Sequence, residues 1–257
     1  MNHASPWARR LPGPTPARHR LVCFPHAGGG ASAYRPWRDL LPPDVELLAV
    51  QYPGREERTA EPFAEDMAEL TDRLAEGLAP LLDGPFTFFG HSLGAVVAYE
   101  VAHRWERAGY PVPDHLIVSS QYAPPSVTSG GVHERDDDGL LEELARLGGV
   151  GPRELAAPGL RELIVPVVRA DYRLLDSYDP SAAEPLDVPV TAFCGTGDPA
   201  LGAEDVAEWA DFTRAGFTLR LLDGGHFYLR DHPAEAVAAV TALLPQPLSP
   251  QPLSPQK

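Results

Sequence analysis

The chain has 257 residues, 44% of them hydrophobic, enough for one large globular domain with a substantial core and too apolar for a disordered chain. Its formal net charge of −15 argues against binding nucleic acid, whose phosphates need Lys/Arg neutralisation. Basic charge is almost all arginine, with Lys257 the only lysine, a pattern that reads as codon bias of a GC-rich genome rather than as a function.

Residues 1–18 are expected to be a flexible arm. Met1 to Arg20 is rich in proline and arginine and lacks the apolar stretch of a secretion signal. The folded domain is expected over 19–245. Leu21–Phe24 reads as a short apolar strand, followed by the glycine-rich segment Ala27–Gly30 and a helix over Ser32–Leu40. Val45–Val50 is the next strand. Ala64–Leu82 reads as a long amphipathic helix, with Met67, Leu70, Leu74, Leu78 and Leu81 at helical spacing. Phe86–Phe89 is a strand running directly into Gly90-His91-Ser92-Leu93-Gly94 and an apolar helix, Leu93–His103. Leu116–Ser119 is another strand.

The alternation then breaks. Residues 120–186 contain no good strand. Asp136, Asp137 and Asp138 are placed to cap a helix ending at Leu147, and 159–178 carries a wide apolar stripe in which Pro166 should cause a kink. An insertion of this size leaving a strand's C-terminal end is expected to act as a lid over the functional edge of the sheet, rather than as extra core. Val188–Cys194 and Phe217–Leu222 are strands separated by a helix near Glu204–Phe212, and Pro233–Leu244 is a last helix with proline in its first turn. Residues 246–257 repeat the string Gln-Pro-Leu-Ser-Pro and are expected to be an extended, disordered tail. Strands alternating with helices imply an α/β fold with a mostly parallel central sheet flanked by helices.

Cys23 and Cys194 each fall inside an expected strand and read as buried small hydrophobes in a reducing compartment. No apolar run approaches the roughly 18 residues of a membrane span. The expectation is a soluble, cytoplasmic protein without a membrane partner.

The chemistry centres on Ser92. A Gly-x-Ser-x-Gly string recurs by chance in glycine-rich turns, but here a strand precedes it and a buried helix follows. A serine on such a sharp turn adopts a strained backbone and projects its hydroxyl above the sheet edge. It needs a base and a partner to orient that base. Asp198 lies just past the strand ending at Cys194, in Gly195-Thr196-Gly197-Asp198. His226 lies just past the next strand, in Asp223-Gly224-Gly225-His226. Both have the same topological address as Ser92, in the chain order serine, acid, histidine.

Rivals are weaker. His91 adjoins the serine on a sharp turn and should point elsewhere. His103 is mid-helix, His115 starts a strand, and His232 begins the last helix. Asp223 is expected to shape the turn before His226, and Asp231 to serve the following helix. An oxyanion is expected to meet the backbone N–H of Leu93, at the head of its helix, and that of Ala27, in the loop after the first strand. The glycines of that loop lack Gly-x-Gly-x-x-Gly spacing and any Gly-Lys-Ser/Thr, so a nucleotide site is a weak reading. No metal or cofactor is called for.

Several stretches together resemble the type II thioesterases of polyketide and nonribosomal peptide assembly lines: Phe24-Pro-His-Ala-Gly-Gly-Gly30, Tyr34-Arg-Pro-Trp37, Gln51-Tyr-Pro-Gly-Arg-Glu-Glu-Arg58, Gly90-His-Ser-Leu-Gly94, Gly195-Thr-Gly-Asp198 and Gly224-Gly-His-Phe-Tyr228. They span most of residues 21–244. The resemblance implies an α/β-hydrolase fold with a helical lid insertion. It implies an enzyme that clears stalled or aberrant acyl groups from the phosphopantetheine arm of an acyl or peptidyl carrier protein. Two other readings stay open at this point: a general carboxylesterase or lipase of the same fold, and a non-catalytic binding protein built on it.

Overall fold

Six strands run parallel and a seventh closes one edge antiparallel in the computed structural model, which describes residues 5–11, 17–151 and 159–245. The strands are β1 (Ala8–Leu11), β2 (His19–Phe24), β3 (Val45–Val50), β4 (Phe86–His91), β5 (His115–Ser119), β6 (Val190–Gly195) and β7 (Phe217–Leu222), in the spatial order β1-β3-β2-β4-β5-β6-β7. The chain goes from β2 outward to β3 and then crosses back to β4 on the other side of β2. Loops leaving β2 and β4 therefore diverge and open a crevice at the strands' C-terminal ends, where open α/β sheets place ligands.

Side-chain alternation explains why both faces of this sheet are covered. Val22, Phe24, Leu48, Val50, Phe86, Phe88, Val118 and Ala192 point into one core. Leu21, Cys23, Leu47, Ala49, Phe89, Ile117 and Phe193 point into the other. Helices α1 (Met67–Leu78) and α2 (Leu93–Ala108) fill the first core. Tyr34, Trp37 and the last helix fill the second. Cys23 and Cys194 are buried free thiols on opposite faces.

Several elements differ from expectation for identifiable reasons. The arm expected over 1–18 includes a strand: Ala8 and Leu11 are buried while Arg9 and Arg10 face outward, and the segment pairs with β3 from Ala8↔Val50 to Leu11↔Leu47. Prolines at positions 6, 12, 14 and 16 mask this four-residue strand in the sequence. The helix expected over 32–40 is a run of tight 3₁₀ turns, Ala31–Trp37, containing Pro36, which has no N–H for a longer helix. Helix α1 is shorter than 64–82 because the Asp66 side chain accepts the Glu69 N–H at 2.8 Å and caps it. Helix α2 runs on to Ala108, ending at Gly109 with φ 71°. The helix expected near 204–212 divides into Ala203–Ala207 and a 3₁₀ turn, Glu208–Phe212.

Between β5 and β6 lie α3 (Asp137–Leu147), capped by Asp136, and α4 (Leu160–Asp176), one helix that continues through Pro166. Both reach the C-terminal edge of the sheet. The end of α3 meets the segment after β7, where Arg230 donates to the Gly148 carbonyl at 2.8 Å. Helix α4 lies against the loop after β2. The insertion thus sits where a lid was expected. Helix α5 (Pro233–Thr241) closes the fold. The repeat-bearing tail, 246–257, lies outside the described residues, as do 1–4, 12–16 and 152–158. No helix among the described residues is long and apolar enough to cross a membrane.

Candidate active site

The sharp turn between β4 and α2 is held from the end of β5. The Ser92 N–H donates to the Ser119 carbonyl at 2.8 Å, and Ser92 itself sits at φ 53°, ψ −124°. That region is strained for any residue with a Cβ. The glycines two places on either side are there for space. A Cβ on Gly94 would lie 2.1 Å from the Phe24 carbonyl oxygen, and one on Gly90 would lie 2.1 Å from that of Gly94. The strand can enter the helix this tightly only without those side chains. Ser92 is left half-buried at the head of α2, with no hydrogen-bond partner for its hydroxyl among the described residues.

Asp198 follows β6 and His226 follows β7. The two loops are stitched together by the Gly197 N–H, which donates to Gly224 O at 2.8 Å. His226 Nδ1 lies 2.8 Å from Asp198 Oδ2, with the side chains 5% and 0% exposed. A carboxylate only accepts, so Nδ1 is the nitrogen that carries the proton, and in the neutral ring Nε2 is the one with the lone pair. The Ala200 N–H holds Oδ1 at 2.9 Å. Burial opposes ionisation of Asp198. The hydrogen bond and charge of His226, with the Ala200 N–H, outweigh it and keep the carboxyl below its usual range.

The rival residues are otherwise engaged. His91 is fully buried with its Nδ1 2.9 Å from Ser119 Oγ, which in turn lies 2.6 Å from Tyr228 Oη. Burial, then the neighbouring His226 and His26, push the His91 pKa far down, so its ring stays neutral. His115 pairs with Thr191 at 2.8 Å, and His103 stacks on Tyr99. Asp231 pairs with Arg230 at 3.1 Å, and Asp223 and His232 are exposed. Sequence reasoning missed His26 as part of this environment. Its ring packs 4.8 Å from that of Phe227 and 5.9 Å from that of His91, and burial takes its pKa down to about 3. The His91 ring is 5.1 Å from that of His226 and links the serine turn to the histidine loop.

Both N–H groups expected to meet an oxyanion lie on this edge. Leu93 is the first residue of α2, so no earlier helical carbonyl is available to it. Ala27 lies in the loop after β2, and its N–H has no acceptor among the described residues. Its loop is tightly held. Tyr52 Oη donates to Pro25 O at 3.2 Å, the Ala31 N–H donates to Gln51 Oε1 at 3.0 Å, and the Gly29 N–H donates to His26 O at 2.9 Å. The string Phe24–Gly30 and the string Gln51–Arg58 are thus one structural unit. Among the described residues no group of three or more His, Cys, Asp or Glu could hold a metal ion.

A thioesterase-domain family profile matches residues 19–243. The chain is 42% identical over 227 residues to thioesterase PikA5 of Streptomyces venezuelae, covering 88% of this chain and 80% of that protein. It is 39% identical over 229 residues to the "Probable cadicidin biosynthesis thioesterase" of Streptomyces griseus, covering 89% of this chain but 63% of that relative, less than two thirds of its length. The solved structure of the RedJ thioesterase from the prodiginine biosynthetic pathway of Streptomyces coelicolor is similar with a TM-score of 0.85 and 37% identity, covering 95% of this chain and 97% of that one.

Proposed function

The chain belongs to the thioesterase family, and from that premise we propose that it hydrolyses acyl thioesters carried on the phosphopantetheine arm of an acyl or peptidyl carrier protein in polyketide or nonribosomal peptide biosynthesis. The observation that carries the reading is the strained Ser92 on the same sheet edge as the hydrogen-bonded Asp198–His226 pair.

The steps follow from that chemistry. His226 Nε2 takes the Ser92 proton as Oγ attacks the thioester carbonyl, and Asp198 holds the Nδ1–H tautomer and stabilises the imidazolium. The Leu93 and Ala27 N–H groups stabilise the oxyanion of the tetrahedral intermediate. Collapse expels the pantetheine thiolate, which takes the proton from His226. Water, deprotonated by His226, then attacks the acyl-serine; collapse breaks the acyl–Oγ bond, His226 returns the proton to Ser92 Oγ, and the acid is released. The pantetheine belongs to the substrate, and the reaction needs no cofactor from the enzyme.

A panel of matched thioesters and oxygen esters, presented both on a carrier protein and as free pantetheine analogues, tests this reading. Preferred turnover of the carrier-bound thioester is expected. Equal or better turnover of the oxygen esters, with no release from the carrier, would make the chain a general esterase.

A further inference from the structure

We propose that Asp171, on the lid helix α4, is a positioning residue that fixes the oxyanion-binding loop, so that the seating of the lid and the competence of the site are coupled. This rests on the reading of Ala27 as an oxyanion donor.

Asp171 is a fully buried carboxylate contributed by the insertion, yet its partners belong to the catalytic edge. Oδ2 accepts the Gly28 N–H at 2.7 Å. Arg55 grips both oxygens, Nη1 to Oδ2 at 2.5 Å and Nη2 to Oδ1 at 2.7 Å, and Nη1 also donates to Gly29 O at 3.3 Å. A planar guanidinium meeting a carboxylate through two bonds fixes its direction as well as its position.

The geometry of the loop makes that anchor matter. In a trans peptide the C=O and N–H point opposite ways. The Gly29 N–H ties the His26 carbonyl, which turns the Ala27 N–H of the same peptide away from it. Among the described residues, the next peptide, Ala27–Gly28, is tied only by the Gly28 N–H to Asp171. Both peptide planes flanking the Ala27 Cα are therefore set, one from within the loop and one from the lid. Val168, one turn before Asp171, makes an independent contact: a Cβ on Gly28, which has φ 81°, would lie 2.7 Å from Val168 Cγ2. Helix α4 thus closes on Gly28 by shape and by charge. If α4 lifted, the Ala27–Gly28 peptide would lose its acceptor and the donor next to it would lose its aim.

Asp171→Asn keeps the shape and removes the charge. The expected result is a kcat lowered about 10- to 100-fold, less than for outright loss of an oxyanion donor, with KM for an acyl-pantetheine thioester little changed. The Ki of an acyl boronic acid, which mimics the tetrahedral adduct on Ser92, should rise in the same ratio as kcat falls. The double replacement Arg55→Met with Asp171→Leu separates positioning from stability, since an apolar pair commonly replaces a buried ion pair without loss of stability. It should recover the melting temperature while kcat stays low. The proposal is overturned if Asp171→Asn lowers the melting temperature but leaves kcat and the boronate Ki unchanged, or if the double variant regains full kcat. Ser92→Ala in the same assays keeps the two readings apart. A dead Ser92→Ala beside a fully active Asp171→Asn removes the positioning role alone, whereas an active Ser92→Ala removes the catalytic reading beneath it.

Discussion

The Asp198 carboxylate receives the Nδ1–H of His226 at 2.8 Å while the Ala200 N–H occupies its other oxygen at 2.9 Å. Neither oxygen is left to rotate, so the imidazole is held in one tautomer. Asp198→Asn would put an amide there, whose NH₂ can instead donate to Nδ1 and force the proton onto Nε2. Steady-state assay of this variant should show kcat lower by about 10³- to 10⁴-fold with folding intact. A loss of only a few fold would mean that His226 is oriented by something else.

Gly94 packs its Cα against the end of β2 as α2 begins. Gly94→Ala would place a methyl group 2.1 Å from the Phe24 carbonyl, and backbone on both sides must shift to admit it. Chemical denaturation should show a loss on the order of 3 kcal/mol. Gly109→Ala is an internal contrast. Its Cβ meets nothing within 4 Å, and only its φ of 71° resists the change, so the loss there should be about 1 kcal/mol. Equal losses at the two sites would contradict the close approach at the serine turn.

His19, the first residue of β2, is buried with its Nε2 2.9 Å from Thr87 Oγ1 of β4. Burial, with Arg18 adding to it, lowers its pKa from 6.5 to about 4, although the Asp114 carboxylate lies 4.0 Å from Nδ1. Below pH 6.5 the unfolded chain takes up a proton at this position that the folded chain refuses. Stability therefore falls as the pH drops from 6.5 toward 4. The single group accounts for about 2 kcal/mol between pH 7 and pH 5. His19→Gln keeps a group able to bond Thr87 and does not titrate, so its unfolding free energy should vary less over this range by that amount. An unchanged pH slope would show that His19 takes up its proton in the fold as readily as in the unfolded chain.

If the proposed substrate is carrier-bound, the net charge of −15 bears on how the carrier protein finds this edge. Carrier proteins of such systems are commonly acidic, so long-range attraction cannot drive the encounter. Docking should be weak and transient, through a local apolar or arginine-bearing patch near the lid. Titration of unacylated carrier protein at low salt should give micromolar or weaker affinity. A submicromolar Kd would contradict this.

The candidate catalytic edge was the most legible part of the sequence because its signals are local. A strand, a turn residue and a helix are adjacent in the chain at Ser92, and Asp198 and His226 each closely follow a strand. The Arg55–Asp171 pair was invisible for the opposite reason: 116 residues separate its members, and an aspartate within an apolar helical stripe gives no sign of its partner. Strand β1 went unread because four residues between prolines carry too little periodicity, and its pairing with β3 is a tertiary effect. The overextended helices show local patterns yielding to caps and prolines, at Asp66 and Pro36.

The central claim is that Ser92 carries the acyl group between the carrier and water. Wild-type enzyme should be quenched during turnover of an acylated carrier protein, digested, and its peptides weighed by mass spectrometry. The account predicts the acyl mass on the peptide containing Ser92. It also predicts that Ser92→Ala lacks this adduct and loses turnover by about 10³-fold or more. Absence of any adduct together with undiminished turnover by Ser92→Ala would contradict it.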